Sequence, residues 1–478
     1  MLFNSFEFFF VFLPVVLAVY FALPHKWQNM FLVVASCVFY ASWDWRFLLP
    51  LLFTTSVDFW VARRMEVIAL QPGSMASRKR LLLASVISNL SLLAFFKYFN
   101  FFAESLRALL VLLGLDVPLK TLEIVLPIAI SFYTFQALSY TIDVYRGEFH
   151  AARSFWDFFL AVLYFPHLIA GPIQRAASLI PQVVRPRVFD RSRAFEGAHL
   201  VAWGYFKKIV IADNLAPVVD AAFQAGTGSP SGGVVVLGVV AFAFQIYCDF
   251  SGYTDIARGI AKIMGFEFVL NFNLPYFATT PTDFWRRWHI SLSTWLRDYL
   301  YKPLGGNRKG LLNTYRNLMI TMLLGGLWHG AAWNFVIWGF YHGVLLAGQR
   351  AAEPIGKRLQ VLARGPGGMW LGVRVALMFA LTCYGWLLFR AKSIDQILEM
   401  SMALATPWTG ADSASVGKVA LLVAPLLAVQ VVQATRRNLY FLDPATTPMS
   451  VRVVTYTLMV YFIAFHGGQP QAFVYFQF

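Results

Sequence analysis

His329 lies in a strongly apolar stretch of the sequence, where an ionisable side chain is unusual. His329 falls within the uncharged window LLGGLWHGAAWNFVIWGFYHG at 323–343. Burying an ionisable group in a membrane is costly, so this residue is a candidate for function. Imidazole has a reference pKa of about 6.5 and is suited to proton transfer near neutral pH. The window makes His329 a candidate general base. The alternative, which is the more frequent case for a membrane histidine, is a neutral histidine hydrogen-bonded within a helix bundle.

A second group of polar residues lies at 282–310, a segment too charged to cross a bilayer. Its apolar side chains recur every three or four residues and predict one stripe on a helix, formed by Phe284, Trp288, Leu292, Trp295 and Tyr299. His289 lies at the edge of this stripe, and the other sides carry Arg286, Arg287 and Arg297. The helix is either an amphipathic surface anchor or a doorway where these arginines bind the phosphates of a thioester donor.

The C-terminal segment GGQPQAFVYFQF is unusually aromatic, with four aromatic residues among its last six. Such a segment is typical of an anchor at the membrane interface. It can alternatively fold back and present Tyr475 as a nucleophile, because a phenol with a pKa of about 10 is easier to deprotonate than a sugar hydroxyl. The sequence alone favours the anchor.

The composition identifies the environment in which these residues must be positioned. Of 478 residues, 58% are apolar and 13% are charged, and the mean hydropathy is +0.60. Apolar windows of about 20 residues recur along the whole chain. We therefore expect an all-α polytopic membrane protein of about ten to twelve transmembrane helices, with re-entrant and in-plane amphipathic helices. Residues 1–478 are predicted to form a single membrane-embedded domain, and 467–478 an extracytoplasmic tail.

The net charge of +15 comes from basic residues in short loops between the apolar windows. This distribution indicates a cytoplasmic membrane face and membrane lipids as partners, not nucleic acid. An acidic acyl carrier protein or a CoA phosphate would be attracted to the same face. The apolar N-terminal segment lacks a basic leader and a cleavage site, so we expect it to be retained as a helix.

The middle of the chain contains a predicted break at membrane depth. The segment YFPHLIAGPIQR at 164–175 carries two prolines and a glycine, and His167 lies within it. Non-helical backbone at this depth is tolerated only where it is buried in protein or lines a watery cavity, which points to a site nearby. Histidine, cysteine and acidic residues at metal-ligand spacing are absent from the sequence, and His342 is interpreted as structural, so no metal is expected.

Several long motifs resemble the membrane-bound O-acyltransferase family, in its bacterial branch of alginate O-acetylases, peptidoglycan O-acetyltransferases and the D-alanyl transfer protein of teichoic acid synthesis. They are LPIAISFYTFQALSYTIDVYRG, FPHLIAGPIQR, FKKIVIAD, YCDFSGYTDIARGIAKIMGF, FWRRWHISLSTWLRDYLYKPLGGNRKG and LGGLWHGAAWNFVIWG. The resemblance implies that His329 is the essential intramembrane histidine and that His289 is a second histidine near the donor side. It also implies a central tunnel across the protein, and it raises Tyr475 to a candidate acyl acceptor.

The expected function is transfer of an acetyl group from a cytoplasmic thioester across the cell inner membrane, for O-acetylation of an extracytoplasmic, alginate-like polysaccharide. The donor would be acetyl-CoA or an acylated carrier protein, no cofactor would be bound, and an extracytoplasmic acetyltransferase would be the partner. Peptidoglycan or cellulose O-acetylation and D-alanyl transfer stay open. So does a non-catalytic subunit or a transporter in polysaccharide export, although a transporter would usually show buried acidic or paired charged residues, of which the sequence gives little sign.

Overall fold

The computed structural model describes residues 1–115, 117–118, 121–169, 171–224, 231–362, 367–407 and 413–476, without the side chains of 354–362, 367–368 and 476. All regular structure in these residues is helical, and no strand occurs among them. The all-α prediction is therefore confirmed for the described part of the chain.

The α-helices in the first half of the chain are α1 (Leu13–Ala22), α2 (His25–Asp44), α3 (Leu48–Ala69), α4 (Met75–Leu93), α5 (Phe99–Leu112), α6 (Ile130–Arg146), α7 (Phe155–Leu163), α8 (Phe165–Leu168), α9 (Ala176–Val184), α10 (Arg191–Tyr205) and α11 (Asp213–Ala222). Those that follow are α12 (Gly232–Ile263), α13 (Pro281–Arg287), α14 (Ile290–Leu296), α15 (Leu311–His329), α16 (Trp333–Leu362), α17 (Gly367–Arg390), α18 (Ile394–Ala403), α19 (Ser413–Arg436) and α20 (Met449–Phe465). Wider π-helical turns occur at Glu7–Phe12, Ala94–Tyr98, Phe206–Ala212 and Arg297–Tyr301, and short 3-10 turns at Trp45–Phe47, Pro275–Phe277 and Val474–Phe476.

Several of these helices have the length and composition of membrane spans. Five helical segments of the described chain meet both conditions: His25–Ala69, Met75–Leu112, Gly232–Ile263, Met369–Arg390 and Ser413–Arg436. Polytopic character follows, because each is at least as long as the roughly 20 residues that a bilayer requires. The finer count of ten to twelve spans, and the central tunnel, stay predictions.

The chain forms two compact units. Unit 1 consists of Met1–Val201 with Thr254–Val269, and unit 2 of Ala202–Tyr253 with Leu270–Phe478. We describe each unit by itself, and the single-domain organisation stays a prediction.

Unit 1 contains the predicted break and a buried polar cluster. The break falls at Tyr164, between α7 and α8, and the His167 ring behind it is buried with Nε2 3.0 Å from the carbonyl oxygen of Ala161. Elsewhere in this unit the carboxylate of Asp58 on α3 is fully buried and accepts hydrogen bonds from Ser85 (2.6 Å) and Asn89 (2.9 Å) on α4. Buried polar groups require such partners, so this cluster ties α3 to α4.

Unit 2 is organised around the antiparallel pair α15 and α16. Two glycines allow these helices to touch backbone to backbone. A Cβ atom on Gly326 would lie 2.2 Å from the carbonyl oxygen of Phe335, and one on Gly339 would lie 2.4 Å from that of Met322. Small residues at helix contacts permit this close approach in membranes. The pair therefore fixes the position of His329, the last residue of α15.

Candidate active site

The apolar stripe at 284–299 was predicted to lie on one helix, and this prediction is wrong. The segment breaks into α13 and α14 at His289, whose backbone is left-handed with φ = 43°. Helix α13 begins after Thr280, whose hydroxyl accepts a hydrogen bond from the backbone N–H of Asp283 at 3.1 Å. Two arginines end it, where positive charge favours the helix C-terminus. The break turns the His289 ring into the interior, where it is fully buried.

Asn271 holds this turn in place from 18 residues earlier in the chain. Its side-chain oxygen accepts hydrogen bonds from the backbone N–H of Ser291 (3.2 Å) and from the Ser291 hydroxyl (2.9 Å), and its main-chain oxygen accepts from Ile290 N–H (2.9 Å). These are the donors that the first turn of α14 cannot satisfy within the helix. Asn271 therefore compensates the cost of a left-handed conformation at a residue that is not glycine.

The imidazole of His329 lies in an aromatic pocket at the end of α15. It is 5% exposed, and its ring centroid lies 5.0 Å from Trp328, 5.0 Å from Trp338 and 5.4 Å from Phe389. Such apolar walls exclude water and strengthen electrostatic interactions inside the pocket.

The structure brings the three predicted chemical residues together. The ring of half-buried Tyr475 lies 5.5 Å from His329 and 6.4 Å from His289, and the two histidine rings are 6.4 Å apart, all between centroids. Phe250 on α12 packs between them, 4.7 Å from His289 and 4.6 Å from Tyr475. Two imidazoles and a phenol facing one pocket are groups that can move a proton and carry an acyl ester.

The three candidate arginines differ in what they contact. Arg286 is exposed and lines a cavity of about 420 Å³, which Arg350, Thr280, Tyr301 and Gln349 also line. Arg287 is paired with Asp283 at 2.8 Å.

Arg297 is 56% exposed and paired with Asp298 at 2.9 Å, and this hydrogen bond raises the pKa of its guanidinium. Of the three candidate arginines, Arg286 alone lines the cavity.

A row of aromatic rings extends from this cavity toward His329. Trp285, next to Arg286, lies 5.1 Å from His342; His342 lies 4.7 Å from Trp338, which in turn lies 5.0 Å from His329, measured between ring centroids. The indole N–H of Trp338 and Nδ1 of His342 are buried and have no hydrogen-bond partner in the described part of the protein. The aromatic row therefore carries buried polar atoms that could form hydrogen bonds with a bound ligand.

Comparison with known proteins supplies the family. A sequence profile for the membrane-bound O-acyltransferase family matches residues 153–386, a range that includes His289 and His329. A probable alginate O-acetylase of Azotobacter vinelandii is 42% identical over 438 residues, covering 91% of this chain and 84% of the relative. The chain belongs to the membrane-bound O-acyltransferase family. It is accordingly an acyltransferase and a multi-pass membrane protein.

More distant members of the O-acyltransferase family also align with the chain. A peptidoglycan O-acetyltransferase of Helicobacter pylori is 36% identical, covering 84% of this chain and 79% of the relative. A teichoic acid D-alanyltransferase of Bacillus subtilis is 27% identical, covering 55% of this chain and 69% of the relative. The names of these relatives share transfer of an acyl group and differ in the polymer.

The structure also shows an ionic cluster in this O-acyltransferase that sequence reasoning missed. The ammonium of Lys208 lies 2.7 Å from Asp213 and 2.7 Å from Asp249, and all three side chains are 1–2% exposed. Buried paired charges were not expected, and this expectation was wrong. The two partners of Lys208 lie 5 and 41 positions from it in the sequence, so no local pattern reveals the pairing. In the sequence, Lys207 and Lys208 interrupt an otherwise apolar window, which is a local sign of buried charge.

Proposed function

We propose that this protein transfers an acetyl group from a cytoplasmic thioester to Tyr475, from which a second enzyme passes it to an extracytoplasmic, alginate-like polysaccharide. The observation that carries the proposal is the convergence of His289, His329 and Tyr475 on one largely apolar pocket. The higher identity to the alginate relative than to the peptidoglycan and teichoic acid relatives favours an alginate-like polymer. The membrane would be the cell inner membrane.

The donor is acetyl-CoA or an acylated carrier protein, and both present the thioester on a phosphopantetheine arm. The phosphate end binds in the cavity at Arg286, whose guanidinium forms strong charge-assisted hydrogen bonds with phosphate. Arg350 also lines this cavity but is paired with Glu353 at 3.0 Å. The arm then follows the aromatic row. Its amide groups meet the buried Trp338 N–H and His342 Nδ1, which have no hydrogen-bond partner within the described residues.

The chemical step needs only groups of the pocket and the donor. His329 removes the proton from the Tyr475 hydroxyl, and the phenolate oxygen attacks the thioester carbonyl carbon. The C–S bond breaks and the acetyl group stays on Tyr475 as an ester. The leaving thiolate then accepts from His329 the proton that His329 removed from Tyr475. Neither ring nitrogen of His289 has a hydrogen-bond partner in the described chain, so its N–H is available to stabilise the developing oxyanion.

The ester is then consumed outside the membrane by an extracytoplasmic acetyltransferase. A sugar hydroxyl attacks the ester carbonyl, and the Tyr475 phenol is released with its proton. A phenol is a better leaving group than a sugar alcohol, because its pKa of about 10 is lower.

The deciding experiment compares ester-linked acetate on extracytoplasmic glycan from cells that carry His329→Ala or wild-type protein. His167→Ala is the matched control, because His167 is a buried histidine of unit 1 at 3% exposure. A positioned general base contributes about 10²–10⁴-fold, so His329→Ala should reduce acetylation to the level of cells without the protein. Normal acetate at equal membrane abundance would remove His329 from the mechanism.

A further inference from the structure

The cluster of Lys208, Asp213 and Asp249 lies in unit 2 and takes no part in the chemistry described above. Its members come from the π-helical turn Phe206–Ala212, from the first residue of α11 and from α12. Two carboxylates face one ammonium, so the formal charge of the buried cluster is negative. Buried ions need further hydrogen bonds to offset their lost hydration.

Part of this hydrogen bonding comes from the C-terminal segment. The backbone N–H of Val474 donates to Oδ2 of Asp249 at 2.7 Å, and Lys208 Nζ donates to the carbonyl oxygen of Gln471 at 3.0 Å. The adjacent backbone is also fixed, because the N–H of Gly468 donates to the carbonyl oxygen of Ile209 at 2.9 Å. The segment 468–474 is therefore held through hydrogen bonds of its own main chain. Most side-chain substitutions within this segment would leave these hydrogen bonds in place.

The hydrogen bond between Val474 and Asp249 lies one residue away from Tyr475, the proposed acceptor. Val474 immediately precedes Tyr475, and Asp249 immediately precedes Phe250, which packs against both Tyr475 and His289. Phe473, on the other side of Val474, is fully buried and lies 4.7 Å from the Tyr253 ring. A shift of the Val474–Asp249 hydrogen bond would therefore move the phenol relative to His329.

We propose that Lys208, Asp213 and Asp249 are positioning residues that clamp the backbone of 468–474 and so hold Tyr475 beside His329. A buried ion pair adds little net stability, but in some proteins buried polar or ionic groups fix the register of packed segments. A fixed register is what an acyl acceptor needs. The role of Tyr475 as acceptor rests on the proposed function. The clamp itself does not.

The test places a benzophenone amino acid at position 475 of the full-length protein in lipid nanodiscs and maps its photo-crosslinks by mass spectrometry. In the otherwise wild-type chain we expect crosslinks to the peptide containing His329. Asp249→Ala should abolish most of them, because a C-terminal segment released from Asp249 carries position 475 away from His329. Asp58→Ala, which removes a buried carboxylate of unit 1 that is hydrogen-bonded to Ser85 and Asn89, should retain them.

Val474→Pro provides a second variant in case Asp249→Ala does not fold. It removes the N–H that donates to Asp249, exchanges the buried valine side chain for a proline ring and leaves all three charged side chains in place. Proline is tolerated at the first residue of a helical turn. In a chain that retains Tyr475 it should lower kcat about 10–100-fold with the donor KM unchanged. Undiminished crosslinking and kcat in folded Asp249→Ala or Val474→Pro would overturn the clamp.

The two proposals fail in different ways. If Tyr475→Phe leaves glycan acetylation intact while the crosslink still depends on Asp249, the tyrosine relay is wrong and the clamp stands. If Tyr475→Phe abolishes acetylation but the crosslink is indifferent to Asp249 and to Val474→Pro, the relay stands and the clamp is wrong.

Discussion

Asn271→Ala tests whether the turn at His289 is held by a residue that touches no substrate. The substitution removes both hydrogen bonds of the side-chain oxygen to Ser291 and keeps the backbone bond to Ile290. Two buried hydrogen bonds contribute about 1–3 kcal/mol, and a left-handed non-glycine residue costs about 1–2 kcal/mol. Because the two quantities are similar, the turn should relax and His289 should leave its place in the pocket.

The expected result is a fall of about 10–100-fold in acyl-transfer rate, since a misplacement of 1 Å costs about 10²-fold. Asn89→Ala is the control: Asn89 is equally buried in unit 1, contacts neither histidine, and should lose stability without a comparable loss of rate. Unfolding can be followed by maleimide labelling of the buried thiols of Cys248 and Cys383. A wild-type rate in Asn271→Ala at normal abundance would refute the argument.

Two further predictions concern the donor cavity and the helix pair. Arg286→Ala should raise the donor KM about three- to fivefold with little change in kcat, the modest size reflecting its exposure, whereas Arg297→Ala, already paired with Asp298, should leave KM unchanged in steady-state assays. Gly339→Ala should destabilise the protein by about 1–3 kcal/mol and lower its thermal midpoint, because the new methyl group meets the Met322 carbonyl. Gly348→Ala on the same helix has open space and should be neutral; equal midpoints for the two variants would contradict the close helix contact.

Local sequence pattern predicted the parts of this protein that local chemistry determines. His329 could be singled out because an ionisable residue in an uncharged apolar window is unusual, and the family motif separated it from His342 in the same window. The break at 164–175 could be predicted because proline and glycine disrupt helices wherever they lie. The proximity of Tyr475 to both histidines required long-range folding, and the sequence favoured a surface anchor for its segment.

The remaining features depend on contacts between distant positions. The period of the 284–299 stripe is helical throughout, so nothing in it signals a left-handed residue at 289; the turn is supported by Asn271, well outside the stripe. Likewise, Lys208 interrupts an apolar window in the sequence, and only the folded structure shows that it is paired with Asp249. Periodicity cannot detect such pairs, because they share no helix face.

The clamp also has a consequence for the order in which the protein is made. A ribosome synthesises Lys208 and Asp249 more than 200 residues before Gln471 and Val474. During that interval Asp249 lacks one of its hydrogen-bond donors, and Tyr475, the proposed acceptor, does not yet exist. The pocket is therefore completed only after synthesis of almost every helix described here. If Tyr475 is the acceptor as proposed, a chain interrupted between α20 and Tyr475 would contain these helices and transfer no acyl group.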